Sequence, residues 1–188
     1  ELVAEDLKPR DVLTDAAFRN AVVTLLALGG STNAVIHLLA MAKRAGRTLT
    51  LDDFDGAVAN VPVLADVRPV GAHLMEDFFH AGGLPALLAE LTDHLDLKAR
   101  NVSGETLAEI VAAARRIGDD VIRPRANPVS PESGLVVLRG SLAPGGAVLK
   151  RAAASPNLLR HEGPVIVFDG LRDLTERIDD PALGATPE

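Results

Sequence analysis

The stretch from Ala21 to Ala42 constrains this chain more than any other. It carries no Asp, Glu, Lys or Arg. Its length suits a membrane span, which needs about 20 uninterrupted apolar residues. Gly29-Gly30-Ser31-Thr32-Asn33 interrupts it in the middle, leaving two apolar runs too short to cross a bilayer. Two buried helices joined by a tight turn satisfy this pattern, so no membrane partner is expected. Thr14 is placed to cap the first helix, with Phe18, Val22 and Leu25 on its apolar face. Gly29 and Gly30 end it, because a helix C-terminus commonly needs a left-handed residue. Ser31 or Thr32 caps the second helix, which carries Val35, Leu38, Leu39 and Ala42 and stops at Gly46.

Composition narrows the function classes. The chain has 188 residues, 47% of them hydrophobic, enough to bury roughly 70% of the unfolded surface. It has no cysteine. That excludes disulfides, a thiol nucleophile, a zinc–thiolate site and any iron–sulfur cluster ligated from within the chain. Trp and Tyr are absent and the net charge is −7, which disfavours nucleic acid and anionic membrane surfaces as partners. The first residue is Glu1, with no charged-then-apolar leader after it. The sequence is therefore expected to lie inside a longer protein.

Further along, Thr50 and Asp53 have capping-box spacing and open a short helix toward Val58. Leu84-Pro85-Ala86 begins another, running toward Leu95. Thr106 and Glu109 form a second capping box, for a helix ending near Gly118. The pattern then changes. Arg123-Pro124, Asn127-Pro128 and Ser130-Pro131 punctuate an extended segment. Leu135–Leu138 reads as a strand, Ala143-Pro144-Gly145-Gly146 as a turn, Ala147–Leu149 as a second strand and Val165–Phe168 as a third. Leu171–Ile178 reads as a short helix and Asp179–Glu188 as an acidic loop. The fold class is α+β: a helical part over residues 1–120, then the beginning of a β-rich part over 121–188.

Chemistry concentrates at Gly29–Asn33. Small residues let another group approach the backbone. A helix starts here, so free amide hydrogens and the positive end of its dipole face outward. Hydroxyls and a carboxamide add directed bonds. Ser31, Thr32 and Asn33 are the candidate binding residues for a carboxylate or phosphate; an ordinary capped turn is the plainer alternative. Ala81-Gly82-Gly83-Leu84-Pro85 repeats the arrangement, with a packing turn as its plainer reading. His37, four residues before Met41, reads as a hydrogen-bonded core histidine. His73 and His80 flank Glu76 and Asp77 but lack tight metal-ligand spacing, so no metal is assigned to them. Lys150 closes the second strand, facing an acidic substrate or solvent.

Four segments in order carry a resemblance: Ala27–His37, Leu49–Asp55, Met75–Ala86 and Arg139–Lys150. Together they resemble the dihydroxy-acid and phosphogluconate dehydratase family over essentially the whole chain. The resemblance implies a helix-flanked α/β N-terminal domain that holds an iron–sulfur cluster and Mg2+, closed by a β-barrel-like C-terminal domain. This chain would span the end of the first and the start of the second. The implied reaction removes water from a 2,3-dihydroxy carboxylic acid. A base takes the C2 proton, the cluster acts as Lewis acid on the C3 hydroxyl, and the enol becomes a 2-keto acid.

In the family the cluster cysteines and the magnesium ligands, with a modified lysine, lie mostly upstream of the matched segment. A further glutamate ligand and the serine base lie downstream. The resemblance therefore assigns no catalytic residue and no metal ligand to this chain. It implies a cytoplasmic enzyme, a homodimer or homotetramer when intact, acting on a small-molecule acid. Met75–Phe79 and Ala152–His161 resemble the sugar-acid branch, L-arabinonate above other aldonates, more than the branched-chain biosynthetic dehydratase. The alternatives are a piece of that branched-chain enzyme, or a cluster-free module that binds acids or only packs against a partner. One departure stands out: Ser141 occupies a position where the family usually has Asn.

Overall fold

The computed structural model describes residues 3–4 and 6–183. They divide between Ala153 and Ala154 into two compact units. The first holds seven of the described α-helices and one hairpin. Its helices are α1 (Pro9–Val12), α2 (Asp15–Leu28), α3 (Thr32–Arg44), α4 (Leu51–Val58), α5 (Met75–His80), α6 (Gly83–Ala89) and α7 (Leu107–Ala113), and its strands are β1 (Leu135–Gly140) and β2 (Ala143–Lys150). No helix among the described residues is long and apolar enough to cross a membrane.

Helix α2 is the centre of the first unit. Thr14 caps it, its side chain accepting from the Ala17 N–H at 3.2 Å. Apolar residues occupy most of its circumference, and Phe18, Val22, Val23, Leu25, Leu26 and Ala27 are all buried. A helix apolar on so many sides must be covered on all of them. Helices α3, α4 and α6 pack against it. Its one buried polar side chain, Asn20, is satisfied by the backbone of Asp96, donating to the carbonyl at 2.9 Å and accepting from the N–H at 2.8 Å.

The capping boxes stand as read. Thr50 and Asp53 open α4 and Thr106 and Glu109 open α7, with the Thr106 N–H and hydroxyl both 2.7 Å from Glu109. These bonds hold the Glu109 carboxyl below its ordinary range, the backbone bond most, because both favour the charged form. Helix α7 ends at Ala113 rather than near Gly118. Ala114 turns extended, and the Ile117 N–H donates to the Ala81 carbonyl at 3.0 Å. Helix α6 stops at Ala89, and a 3-10 turn, Thr92–His94, follows it.

Residues 61–67 cross the core as an extended segment. The Leu64 N–H donates to the Ala27 carbonyl at 2.8 Å, at the end of α2, and single bridges join Val63 to Ser130 and Ala65 to Ile122. Val61, Val63, Leu64, Ala65 and Ile122 are buried.

The hairpin belongs to this same unit and packs on α4 and α3. Leu135 pairs with Lys150, and Leu138 with Ala147. The void among Leu26, Val35, Phe54, Leu135 and Val148 is only about 10 Å³. An ion pair between Arg139 and Asp52 adds a surface tie to α4.

Two strand expectations need correction. The turn is not at Ala143–Gly146, because Gly140 pairs with Ala143 and leaves Ser141 and Leu142 as the loop. Pro144, Gly145 and Gly146 instead form an irregularity opposite Arg139, with Gly146 at φ +97°. Ser141, the residue that replaces the usual Asn, is thus exposed at the hairpin tip. Val165–Phe168 is not a strand, and Val165 and Val167 stand 76% and 73% exposed. The only sheet among the described residues is β1–β2, so these residues close no barrel.

The second unit carries a 3-10 turn at Pro156–Leu158, the helix α8 (Leu171–Arg177) and a 3-10 turn at Pro181–Leu183. Arg177 pairs with Asp173 at 3.0 Å and lies over the Phe168 ring, 5.3 Å from its centroid. Residues 184–188, the end of the predicted acidic loop, lie outside the described residues.

Candidate functional site

The turn between α2 and α3 has most of its polar groups committed. Gly29 sits at φ 64°, ψ 39°, a left-handed geometry that suits glycine, and its N–H caps the carbonyls of Leu25 and Leu26. The Gly30 N–H donates to the Leu25 carbonyl at 3.0 Å. Ser31 is the N-cap of α3, its hydroxyl accepting from the Asn33 N–H at 3.2 Å, and the Ala34 N–H donates to the Ser31 carbonyl at 3.0 Å.

What remains is a short row of donors. Among the described residues, the backbone N–H groups of Ser31 and Thr32, the Thr32 hydroxyl and the Asn33 carboxamide have no partner. Ser31 and Asn33 are exposed and Thr32 is half-buried. The first turn of α3 contains no acidic side chain to occupy the positive end of the helix. The turn therefore brings the three predicted residues Ser31, Thr32 and Asn33 together at one open helix start. This arrangement suits one oxyanion, such as a carboxylate.

Two further parts of the chain support this turn. The Lys150 ammonium, half-buried, donates to the Gly29 carbonyl at 2.9 Å across 121 residues. Lys150 is thus bonded to the backbone of this turn rather than free in solvent. Gly134 lies against Gly29 so closely that a Cβ there would be 3.2 Å from the Gly29 Cα. No local signal in the sequence could have found either contact.

The other predicted features do different things. A Cβ on Gly82, at φ +111°, would overlap the Arg115 carbonyl oxygen, so the second glycine pair is a packing turn. His37 is not in the core. It is exposed on α3 beside Ile36 and Met41, themselves 66% and 49% exposed, because α3 buries only its Val35 and Ala42 side. His80 stands 4.0 Å from Glu76 on the surface of α5. The His73 N–H donates to the Asp66 carbonyl at 3.1 Å, a backbone role.

Sequence reading missed His94. Its Nε2 is buried with no partner among the described residues, and its pKa is lowered, chiefly by burial and next by the Arg125 guanidinium, against an opposing pull from Asp93.

The donor set does not fit the cofactors that the resemblance implies. The chain offers no thiolate to an iron–sulfur cluster, and among the described residues no group of three His, Asp or Glu side chains converges on a metal position.

Comparison with known proteins places these features in a family. Residues 1–110 match the family model for the dihydroxy-acid/6-phosphogluconate dehydratase N-terminal part, and residues 120–185 match the C-terminal one. The chain belongs to the dihydroxy-acid/6-phosphogluconate dehydratase family. Relatives within it include an L-arabinonate dehydratase of Rhizobium leguminosarum bv. trifolii, 48% identical over 97% of this chain and 32% of its own length. A 6-deoxy-6-sulfo-D-gluconate dehydratase of Pseudomonas putida is 47% identical over 100% of the chain and 33% of its own length. A dihydroxy-acid dehydratase of Clostridium novyi is 45% identical over 90% of the chain and 31% of its own length. The chain thus spans about a third of the length of these family members.

Proposed function

We propose that this chain is part of a cytoplasmic hydro-lyase that dehydrates a 2,3-dihydroxy sugar acid to a 2-keto-3-deoxy acid. In that reaction the C2 proton and the C3 hydroxyl leave together as water, and the resulting enol tautomerises to the ketone. The contribution proposed for this chain is binding. The turn Ser31–Thr32–Asn33 takes the substrate carboxylate, whose two oxygens accept from the Ser31 and Thr32 N–H groups and the Thr32 hydroxyl.

The observation that carries this reading is the row of unpartnered donors at the start of α3, with no acidic side chain in its first turn. The chain's formal charge is −7, so this part of the protein draws no anion by its net charge, and what it offers a carboxylate is such local donors. An aldonate with L-arabinonate as leading substrate is supported by the relatives of that branch, at 48% and 47% identity over 97% and 100% of the chain. The branched-chain dihydroxy-acid substrate is the second reading, supported by a relative at 45% over 90%.

Thr32→Val in a full-length protein carrying this chain tests the binding role. Ser31, not Thr32, supplies the cap hydroxyl, so the substitution spares the helix start. Loss of one charge-assisted bond costs about 1–3 kcal/mol in kcat/KM. Unchanged kinetics would return the turn to a plain structural role. Turnover of L-arabinonate against 2,3-dihydroxy-isovalerate separates the two substrate readings. A tenfold preference for the branched-chain acid, about 1.4 kcal/mol, would sink the sugar-acid assignment.

A further inference from the structure

We infer that Lys150 is a positioning residue: its ammonium fixes the Gly29–Gly30 peptide and thereby sets the direction of the Ser31 and Thr32 donors. The inference rests on the carboxylate-binding reading of that turn. The peptide in question lies between two glycines, the residues with the widest backbone freedom. Its N–H is held by the Leu25 carbonyl at 3.0 Å and its carbonyl by Lys150 Nζ at 2.9 Å. With both ends bonded, the plane cannot turn without breaking a hydrogen bond. The next N–H along the chain is that of Ser31, the first free donor.

Lys150 reaches the turn from a rigid base. Its own backbone pairs with Leu135, whose side chain is 2% exposed in the core. Gly134 seats the hairpin directly on Gly29, with Val63 Cγ2 only 3.3 Å from where a Cβ would be. Residue 150 is therefore presented to residue 29 by packed structure, and the flexible part is only the lysine stem.

The charge has a second effect. The positive charge of Lys150 stands next to the positive end of α3 with no carboxylate within 4 Å of it among the described residues. Both raise the potential felt by an anion at Ser31–Asn33.

The experiment compares Lys150→Met, Lys150→Arg and Thr32→Val in a full-length protein carrying this chain. It reads KM and kcat for L-arabinonate, and the L-arabinonate dissociation constant by calorimetry. The expected result is a tenfold or greater rise in KM and in the dissociation constant for Lys150→Met. The change in kcat should be under threefold, and Lys150→Arg, which keeps a charged donor, should restore most of the affinity. A merely structural lysine would lower the melting temperature without moving the dissociation constant. Should Lys150→Met fail to fold, the comparison passes to Lys150→Gln, which keeps a donor without the charge and is expected to bind more weakly than Lys150→Arg. If Thr32→Val weakens binding while Lys150→Met (or Lys150→Gln in its place) does not, the positioning inference is overturned and the binding reading stands. If neither weakens binding, the binding reading itself fails.

Discussion

Leu135→Ala tests whether the hairpin is part of the helical unit or an appendage to it. Leu135 is 2% exposed, and it packs with Leu26, Val35 and Phe54 around a void of only about 10 Å³. Truncation to Ala removes three carbons, worth roughly 2.4 kcal/mol at about 0.8 kcal/mol each. The new cavity adds to this, because a well-filled site bounded by α2, α3 and α4 collapses poorly. The expected loss is about 3–4 kcal/mol, inside the range of about 2–5 for buried Leu→Ala changes. For a unit of this size that lowers the melting temperature by roughly 6–15 °C. The assay is thermal melting followed by far-UV circular dichroism, which reports the helices and suits a chain with no Trp or Tyr. Leu142→Ala at the hairpin tip, where the side chain is 96% exposed, serves as the control and should change stability by less than about 0.5 kcal/mol. An unshifted helical melt in Leu135→Ala would refute the reasoning, since it would mean that the hairpin unfolds separately.

Two other perturbations follow from the same packing. Gly82→Ala should lower the urea midpoint by the equivalent of about 2–4 kcal/mol, since its Cβ meets the Arg115 carbonyl at a positive φ; a midpoint within error of the parent would return that turn to the list of open backbone sites. His94 titrates below the ordinary imidazole value because of burial and the neighbouring Arg125, with Asp93 opposing, so the unfolded chain takes up its proton first as the pH falls. Stability is then full above roughly pH 6.5 and declines below it, and His94→Gln should flatten that slope in melting curves taken across the window.

Much of the helical part was legible because its signals are local. Thr14, Ser31, Thr50 with Asp53, and Thr106 with Glu109 each sit where the chain needs a cap, and each opens a helix. Helix α5 escaped because its N-cap is Leu74, which has no capping oxygen, and only Asp77 marks the start by accepting from the Leu74 N–H at 2.7 Å. The hairpin loop was misplaced for a related reason. Pro144-Gly145-Gly146 has turn composition, but strand register puts the reversal at Ser141–Leu142. Val165–Phe168 has the composition of a strand, yet a strand also needs a partner edge, which local sequence does not reveal. At the candidate site, Ser31, Thr32 and Asn33 were visible in one short motif. The contacts that Lys150 and Gly134 make with Gly29 were not, because Gly29 lies more than a hundred residues before them.

That last separation has a consequence for synthesis. The Gly29 carbonyl receives its Lys150 donor only after 121 further residues have been made. At about 5–20 residues per second this delay is roughly 6–24 s. Within it, the face formed by Leu26, Val35 and Phe54 waits 81 residues beyond Phe54 for Leu135 and stays open to solvent, and to any neighbouring nascent chain. The N-terminal helices of this chain are thus translated early but completed late, and a chaperone that shields that face during the interval would be acting on a surface absent from the finished molecule.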